Sequence, residues 1–476
     1  MRTPSTIHRL AAAVAAGLLA LTPAVASAQP GREDGFAKPP PLPAGTPVPN
    51  DTGRPDLPYE QKTLCVKSLN EGVVLPNKPW GQTQLRFDEL HRFATGKGQK
   101  VAVIDTGVNR HDFLGDRLAG GGDYVADKNG LEDCDGHGTE VAGIIAANPP
   151  ANSNIGFKGI APDAGIVSIR QSSANYEGKD PTDPNAQTRA AGNLLTLAQA
   201  IVRAANQVPK GVINMSVDNC RPAGPITSAE VAVQSALRFA VEDRDVVVVA
   251  SAGNLKENDC NQQNGPDANR PTTIVTPPWF ADYVVSVAAI DRRGDPAQFS
   301  VQGPWVTVGA PGTEITSLDP GNNSGLANRL LTKDGQPSEI QGTSFAAPYV
   351  AGMAALIRER FPNLTARQVM DRIKATSSHP AAAGGRDNLV GYGMINPIAA
   401  LTAMVPSEQG INPDQPTNIT FDMPPADPKD WTPVTVALIG SLGGVGALVL
   451  TVFVVHTVRR NRREDDPTNL RRITSA

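Results

Sequence analysis

The sequence predicts an α/β protein built on a doubly wound parallel sheet with helices on both faces. Two observations carry this. Short apolar runs alternate with helically patterned stretches between residues 100 and 251, the mark of repeated strand–helix–strand units. Polar, chemistry-bearing residues also fall where such runs end, at Asp105, Ser216 and Asn254, and ligands of this sheet type bind beyond the carboxyl ends of its strands. At 476 residues, 40% hydrophobic and 19% charged, the chain can hold one large core with appendages.

Taken in order, the elements read as follows. KVAVID predicts a buried strand at 100–105, closed by Asp105. HGTEVAGII, opening among small residues, predicts a helix at 137–147. A strand at 164–169, a helix at 190–206, a strand at 211–217, a helix at 226–242 and a strand at 245–251 continue the alternation. Shorter β segments at 283–290 and 305–309 precede a helix begun at Ser344 and another at 365–375. The polar stretch 172–189 reads equally as a flexible loop beside a substrate or as a plain surface insertion.

Both ends look like addresses rather than domains. Arg2, His8 and Arg9 precede an apolar stretch that ends Ala26-Ser27-Ala28, which predicts a secretory signal peptide over 1–28. A Pro-rich N-terminal extension covers 29–78, extended and without a core of its own, and the globular domain runs from 79 to 405. A Pro-rich stalk (406–433) leads to an uncharged apolar run, predicting a transmembrane helix at 434–458 and a basic tail at 459–476. Arg459, Arg460, Arg462 and Arg463 put that tail in the cytoplasm and the globular domain outside, periplasmic and tethered to the cell membrane by one span.

Four cysteines, Cys65, Cys134, Cys220 and Cys260, lie in the exported part. An even count in an oxidising compartment predicts two disulfides, with three pairings open. Cys220 and Cys260 each follow a run that reads as a parallel strand ending on the same edge, which favours Cys220–Cys260 and leaves Cys65–Cys134. No C-x-x-C or H-x-x-x-H pair suggests zinc. Asp123, Asp127, Glu132, Asp133 and Asp135 crowd the loop before His137 and leave calcium open as an alternative, but they lack the spacing of a calcium loop and read first as solvated charge. Neither metal nor cofactor is assigned. A net charge of −4 gives no footprint for nucleic acid, and no phosphate-binding loop appears.

Three motifs name a chemistry: VAVIDTGV at 101–108, DGHGTEVAG at 135–143 and GTSFAAPYVAG at 342–352. An aspartate, a histidine and a serine supply an orienter, a general base and a nucleophile for acyl transfer. Of the six histidines, only His137 is flanked by glycines. Over roughly residues 95–405 the chain resembles the subtilisin-like serine proteases, whose order is also Asp, His, Ser. That resemblance implies that Ser344 attacks, His137 takes its proton and Asp105 fixes the imidazole. It also implies that Asn254, ending VVVVASAGN, donates to the oxyanion together with the Ser344 N–H. Ser216 and Gly253 fall to the substrate cleft. Two departures stand out: Asp218 and Asn219 replace glycines usual in the family, which implies a narrowed or biased cleft, and Phe345 replaces a methionine.

Signal peptide, Pro-rich extension, paired cysteines, protease core and one C-terminal span together resemble the mycosins, membrane-anchored subtilases of actinobacterial type VII secretion systems. The resemblance implies an extension that wraps the domain rather than inhibiting it, a protein or peptide substrate among exported proteins, and partners in the membrane secretion complex. A scaffold with dispensable proteolysis and a surface subtilase unconnected with secretion remain as alternatives.

Overall fold

The computed structural model describes residues 35–69, 75–126, 128–331, 335–410 and 431–464. The expected signal peptide, most of the stalk and the end of the tail lie outside them. The chain divides into two units, residues 1–411 and 412–476.

In the first unit a short strand β1 (Tyr59–Gln61) and two short helices, α1 (Trp80–Gln84) and α2 (Phe87–Leu90), precede the core. The core alternates β2 (Lys100–Asp105), β3 (Leu118–Asp123), α3 (His137–Ala146), β4 (Gly165–Arg170), β5 (Ser173–Gly178), β6 (Arg189–Ala191), α4 (Leu194–Gln207) and β7 (Val212–Met215). Then come β8 (Asn219–Pro222), α5 (Ser228–Arg238), β9 (Val247–Ser251), β10 (Thr273–Thr276), β11 (Val285–Ile290), β12 (Val306–Pro311), α6 (Thr343–Arg360), α7 (Ala366–Thr376) and α8 (Pro397–Thr402). Seven strands form one sheet in the order β12-β11-β9-β7-β2-β4-β3, and every neighbouring pair is parallel. From β2 the chain first builds outward to β3 and β4, then crosses to β7 on the other side. The carboxyl end of β2, where Asp105 sits, is thus at the switch point where ligands are bound.

The sequence expectations hold within a few residues for six of the seven strands. The seventh, β3, is LAGGGD, too rich in glycine to read as a strand. It survives as an edge because Gly121 and Gly122 leave room for Val167 and Arg203, where a Cβ would collide. Helix α4 begins four residues later than expected, because residues 189–191 are spent in β6 and Asn193 then caps the helix in a box with Thr196. Helix α5 ends at Arg238 and passes into a π turn at Phe239–Asp243. α3 packs on α6 and α4 on α5, so helices cover the sheet in two pairs around fully buried β2, β7, β9 and β11 residues such as Ile104, Ile213, Val248 and Val287.

The polar stretch 172–189 is an exposed irregular loop only over 179–188. Its first part is β5, which pairs antiparallel with β1 of the extension, and β6 completes a three-stranded sheet. The extension is held along its whole described length. Trp279 Nε1 donates to the Phe36 carbonyl at 2.9 Å, Ser235 Oγ to Pro47 O at 2.9 Å, and Tyr124 Oη to Asp51 Oδ1 at 2.6 Å. Arg203 pairs with Asp51 at 3.0 Å, and Ser68 Oγ donates to Asp319 Oδ2 at 2.6 Å. Disulfides join Cys65 to Cys134 and Cys220 to Cys260.

Among the described residues the second unit is one helix, α9 (Thr432–Glu464). Its stretch Thr432–Arg462 spans 31 residues, the most apolar 18 of which average a hydropathy of 2.3, and it is long and apolar enough to cross a membrane. At 1.5 Å per residue such a stretch reaches about 46 Å, beyond the ~30 Å of a bilayer's hydrocarbon core.

Candidate active site

The site is assembled from four chain segments, each placed by local backbone chemistry. Asp105 ends β2 wholly buried, and its Oδ1 accepts from the Thr106 N–H at 2.7 Å. His137 opens α3 after Gly136, which takes a left-handed φ of 82° as N-cap. The loops carrying Asp105 and His137 touch backbone to backbone: a Cβ at Gly138 would collide with the Gly107 carbonyl. Thr106 Oγ1 accepts from the Gly138 N–H at 3.0 Å and donates to Asp133 Oδ1 at 2.8 Å. Asp133 also takes the Gly136 and Thr139 N–H groups at 2.7 and 2.8 Å. Burial, against its Thr139 and Thr106 hydrogen bonds, pushes the Asp133 carboxyl up to about 6.

This framework brings His137 Nδ1 to 2.7 Å from Asp105 Oδ1. A carboxylate can only accept, so Nδ1 carries the proton and Nε2 is left as the base. Burial of the ring opposes its charge, but the Asp105 charge and hydrogen bond outweigh that and hold the imidazole above its ordinary value. Glu140, one turn along α3, is fully buried with neither carboxyl oxygen hydrogen-bonded. Burial pushes it well above the usual carboxylate range.

Ser344 lies in the first turn of α6, where amides lack intrahelical acceptors. Its own carbonyl should receive the N–H of residue 348, but Pro348 has none. Ser216 Oγ donates there instead at 2.7 Å, and Asn214 Nδ2 in turn donates to Ser216 Oγ at 3.0 Å. Ser216, expected in the substrate cleft, thus has its hydroxyl committed to the turn that presents Ser344. The Phe345 ring stands 5.1 Å from the His137 ring, centroid to centroid. Among the described residues no hydrogen bond joins Ser344 Oγ to the imidazole, and such pairs are often loose without substrate.

Asn254 follows β9 and is nearly buried. Its Oδ1 accepts from the Thr343 N–H at 2.9 Å and from Thr343 Oγ1 at 3.0 Å, which ties the turn to the residue before Ser344. Gly253 has a φ of 98° and donates its N–H to Thr343 Oγ1 at 3.2 Å. Asn254 Nδ2 is turned the other way and donates to Glu257 Oε2 at 2.8 Å. Asp218 accepts from Ser251 Oγ at 3.1 Å and Asn258 Nδ2 at 3.3 Å, and burial raises its carboxyl.

Sequence reading missed Thr106, Thr343 and Glu257 as linking residues and took Asp133 for solvated charge, whereas it is buried and accepts from Thr106, Gly136 and Thr139. Thr106 and Thr343 had a signal, since each adjoins a reactive residue inside its motif. Glu257 had none. Among the described residues, one group could offer three ligands to a metal, Asp218 with Cys220 and Cys260, but both sulfurs are committed to the disulfide. A surface depression of about 340 Å³ lined by Trp80, Arg292 and Arg329 includes none of the site residues. Chemically the arrangement offers a buried anion on an imidazole, a hydroxyl at a helix start, and an amide donor laced beside it.

Comparison with known proteins agrees with that chemistry. The Subtilase family matches residues 96–393. The chain is 42% identical to Mycosin-1 of Mycobacterium tuberculosis over 86% of its own length and 93% of the relative's. It is 37% identical to Mycosin-3 of the same organism, over 89% and 93%. The solved structure of the MycP3 protease from the type VII (ESX-3) secretion system is 39% identical, with a TM-score of 0.71 over 77% of this chain and 100% of that one. A chain of an intact ESX-5 inner membrane complex is 37% identical, with a TM-score of 0.71 over 88% and 100%. The protein is therefore a subtilisin-like serine protease that belongs to the subtilase family and, within it, to the mycosins.

Proposed function

We propose that the protein is a membrane-anchored endopeptidase of narrow specificity that processes an exported protein and also serves as a structural part of a type VII secretion complex. The observation that carries the enzymatic half is the 2.7 Å contact between His137 and Asp105, held beside an α6 start that is laced to Asn254. Ser344 Oγ attacks the scissile carbonyl carbon while His137 Nε2 takes its proton. Collapse of the tetrahedral intermediate breaks the C–N bond, and the imidazolium returns the proton to the leaving amine. Water then attacks the acyl-enzyme, again deprotonated by His137. Asp105 keeps the tautomer and stabilises the imidazolium, while Asn254 Nδ2 and the Ser344 N–H hold the oxyanion. Asp218, a charged side chain in place of a glycine, supports a restricted cleft.

The structural half is favoured by the chain of the ESX-5 inner membrane complex that this protein matches over 88% of its length. Residues 1–28 serve as the export signal and 434–458 as a single span, with the basic tail cytoplasmic and the catalytic domain periplasmic. The extension 29–78 stays bound as a strap. Its partners are a peptide or protein substrate and other membrane components of the secretion complex, with no nucleic acid.

Labelling by a fluorophosphonate probe tests the enzymatic assignment. The full-length protein should be modified at Ser344, and His137→Ala should abolish modification because the hydroxyl loses its base. Modification at another residue, or unchanged modification without His137, would remove the triad.

A further inference from the structure

We propose that the Glu257 carboxylate is a resident occupant of the oxyanion site, an internal competitor that a substrate must displace before Ser344 can be acylated. The proposal rests on the assignment of Ser344, His137 and Asn254 given above. Two hydrogen bonds from Thr343 fix the Asn254 oxygen, so its amide nitrogen is the group left to face a tetrahedral intermediate. That nitrogen already donates to a carboxylate, Glu257 Oε2, at 2.8 Å. A carboxylate oxygen and a tetrahedral oxyanion ask the same thing of an amide N–H. Two anions sharing one donor nitrogen would lie within roughly 5 Å and repel, so the second cannot settle fully while the first remains.

The surroundings present the carboxylate without locking it in. The Glu257 N–H donates to Asn254 O at 3.2 Å, the Cys260 N–H to Glu257 O at 2.8 Å, and the Lys256 N–H to Cys260 O at 2.9 Å. The Cys220–Cys260 disulfide anchors the far end of this turn. Lys256, Asn258 and Asp259 hold φ values of 71°, 45° and 64°, uncommon for residues with a side chain. A tight turn of this kind keeps Glu257 aimed back at Asn254. The Glu257 side chain itself is exposed, so rotation about its own bonds frees the amide without unfolding anything. Asn258, the next residue, is in turn held by its Nδ2 donating to Asp218 Oδ1 at 3.3 Å. A protease so arranged idles until a tightly fitting peptide supplies the energy to move Glu257 aside.

The test measures the second-order rate of fluorophosphonate labelling of Ser344 in full-length protein in detergent. The variants are Glu257→Ala, Glu257→Gln, Asn254→Ala and the double variant Asn254→Ala with Glu257→Ala. Glu257→Ala should label about five-fold faster, the scale of one exposed hydrogen bond lost from the competitor. Glu257→Gln, which keeps the shape without the charge, should gain less. Asn254→Ala should be slower than wild type, and adding Glu257→Ala to it should bring no acceleration, since the competitor acts only through that amide. Equal or slower labelling of Glu257→Ala overturns the proposal, as does the same acceleration with and without Asn254. Failure of every variant, wild type included, to label at Ser344 overturns the triad and the proposal together.

Discussion

His137 titrates against its own support. The proposed mechanism needs the neutral imidazole, and Asp105 holds the ring above its ordinary value despite burial. Activity should therefore rise with pH along a limb lying above the ordinary imidazole pKa of about 6.5. Asp105→Asn should move that limb down and cut turnover about 10⁴-fold through the wrong tautomer. The pH profile of kcat/KM reads both, and a wild-type limb at or below the ordinary value would contradict the geometry. Glu140 makes the opposite kind of statement, about stability. Its carboxyl is buried, unpartnered and raised well above the usual range, with His137, Asp133, Asp105 and Asp319 as its charged neighbours. The folded state thus holds a proton the unfolded chain gives up, and stability falls as pH rises from the unfolded carboxyl pKa of about 4.3 towards the folded one. Glu140→Met, similar in volume and without polar atoms, should stabilise by about 1–2 kcal/mol. The gain in Tm should be larger at pH 8 than at pH 5. At this scale Asp105, His137 and Ser344 drew attention because each stands in a motif, whereas Glu257 lies in a turn whose meaning is purely spatial.

Elements were legible where periodicity spoke and illegible where distant segments meet. Strand β3 hides behind three glycines, and the β1-β5-β6 sheet hides because its strands are short, polar and far apart in sequence. The commitment of Ser216 to the Ser344 carbonyl follows from Pro348, a residue that read simply as part of the GTSFAAP motif. The two disulfides span 69 and 40 residues, so the chain-entropy account gives each about 4 kcal/mol. Their functional weight should differ. Cys220–Cys260 braces the turn carrying Asn254 and Glu257, whereas Cys65–Cys134 ties the extension to the segment before His137. The paired Cys220→Ser, Cys260→Ser variant should lose more kcat than the paired Cys65→Ser, Cys134→Ser variant at temperatures where both remain folded by circular dichroism. Equal losses would show that neither turn depends on its bridge.

At the scale of the whole molecule, sharp differences of composition suggested a core, an extension and a span, but the sequence held no information on how residues 35–69 dock. Ser344→Ala removes one hydroxyl and should leave secretion intact while substrate processing stops. Truncation before Val434 should do the reverse, keeping the chemistry of the soluble domain while secretion fails. The amount and size of exported proteins in culture filtrate distinguish these, and a secretion block by Ser344→Ala as complete as full deletion would make the scaffold role unnecessary. The docking of the extension has one further consequence, in the order of events during synthesis. Residues 35–69 are made before the core yet bind only to parts made later: Cys65 awaits Cys134, β1 awaits β5, and the Phe36 carbonyl awaits Trp279, 243 positions on. Contacts so remote in sequence form slowly and late. The first segment to emerge is therefore the last to find its place, a buckle fastened on a finished body, and it arrives too late to guide the folding of the domain it encircles.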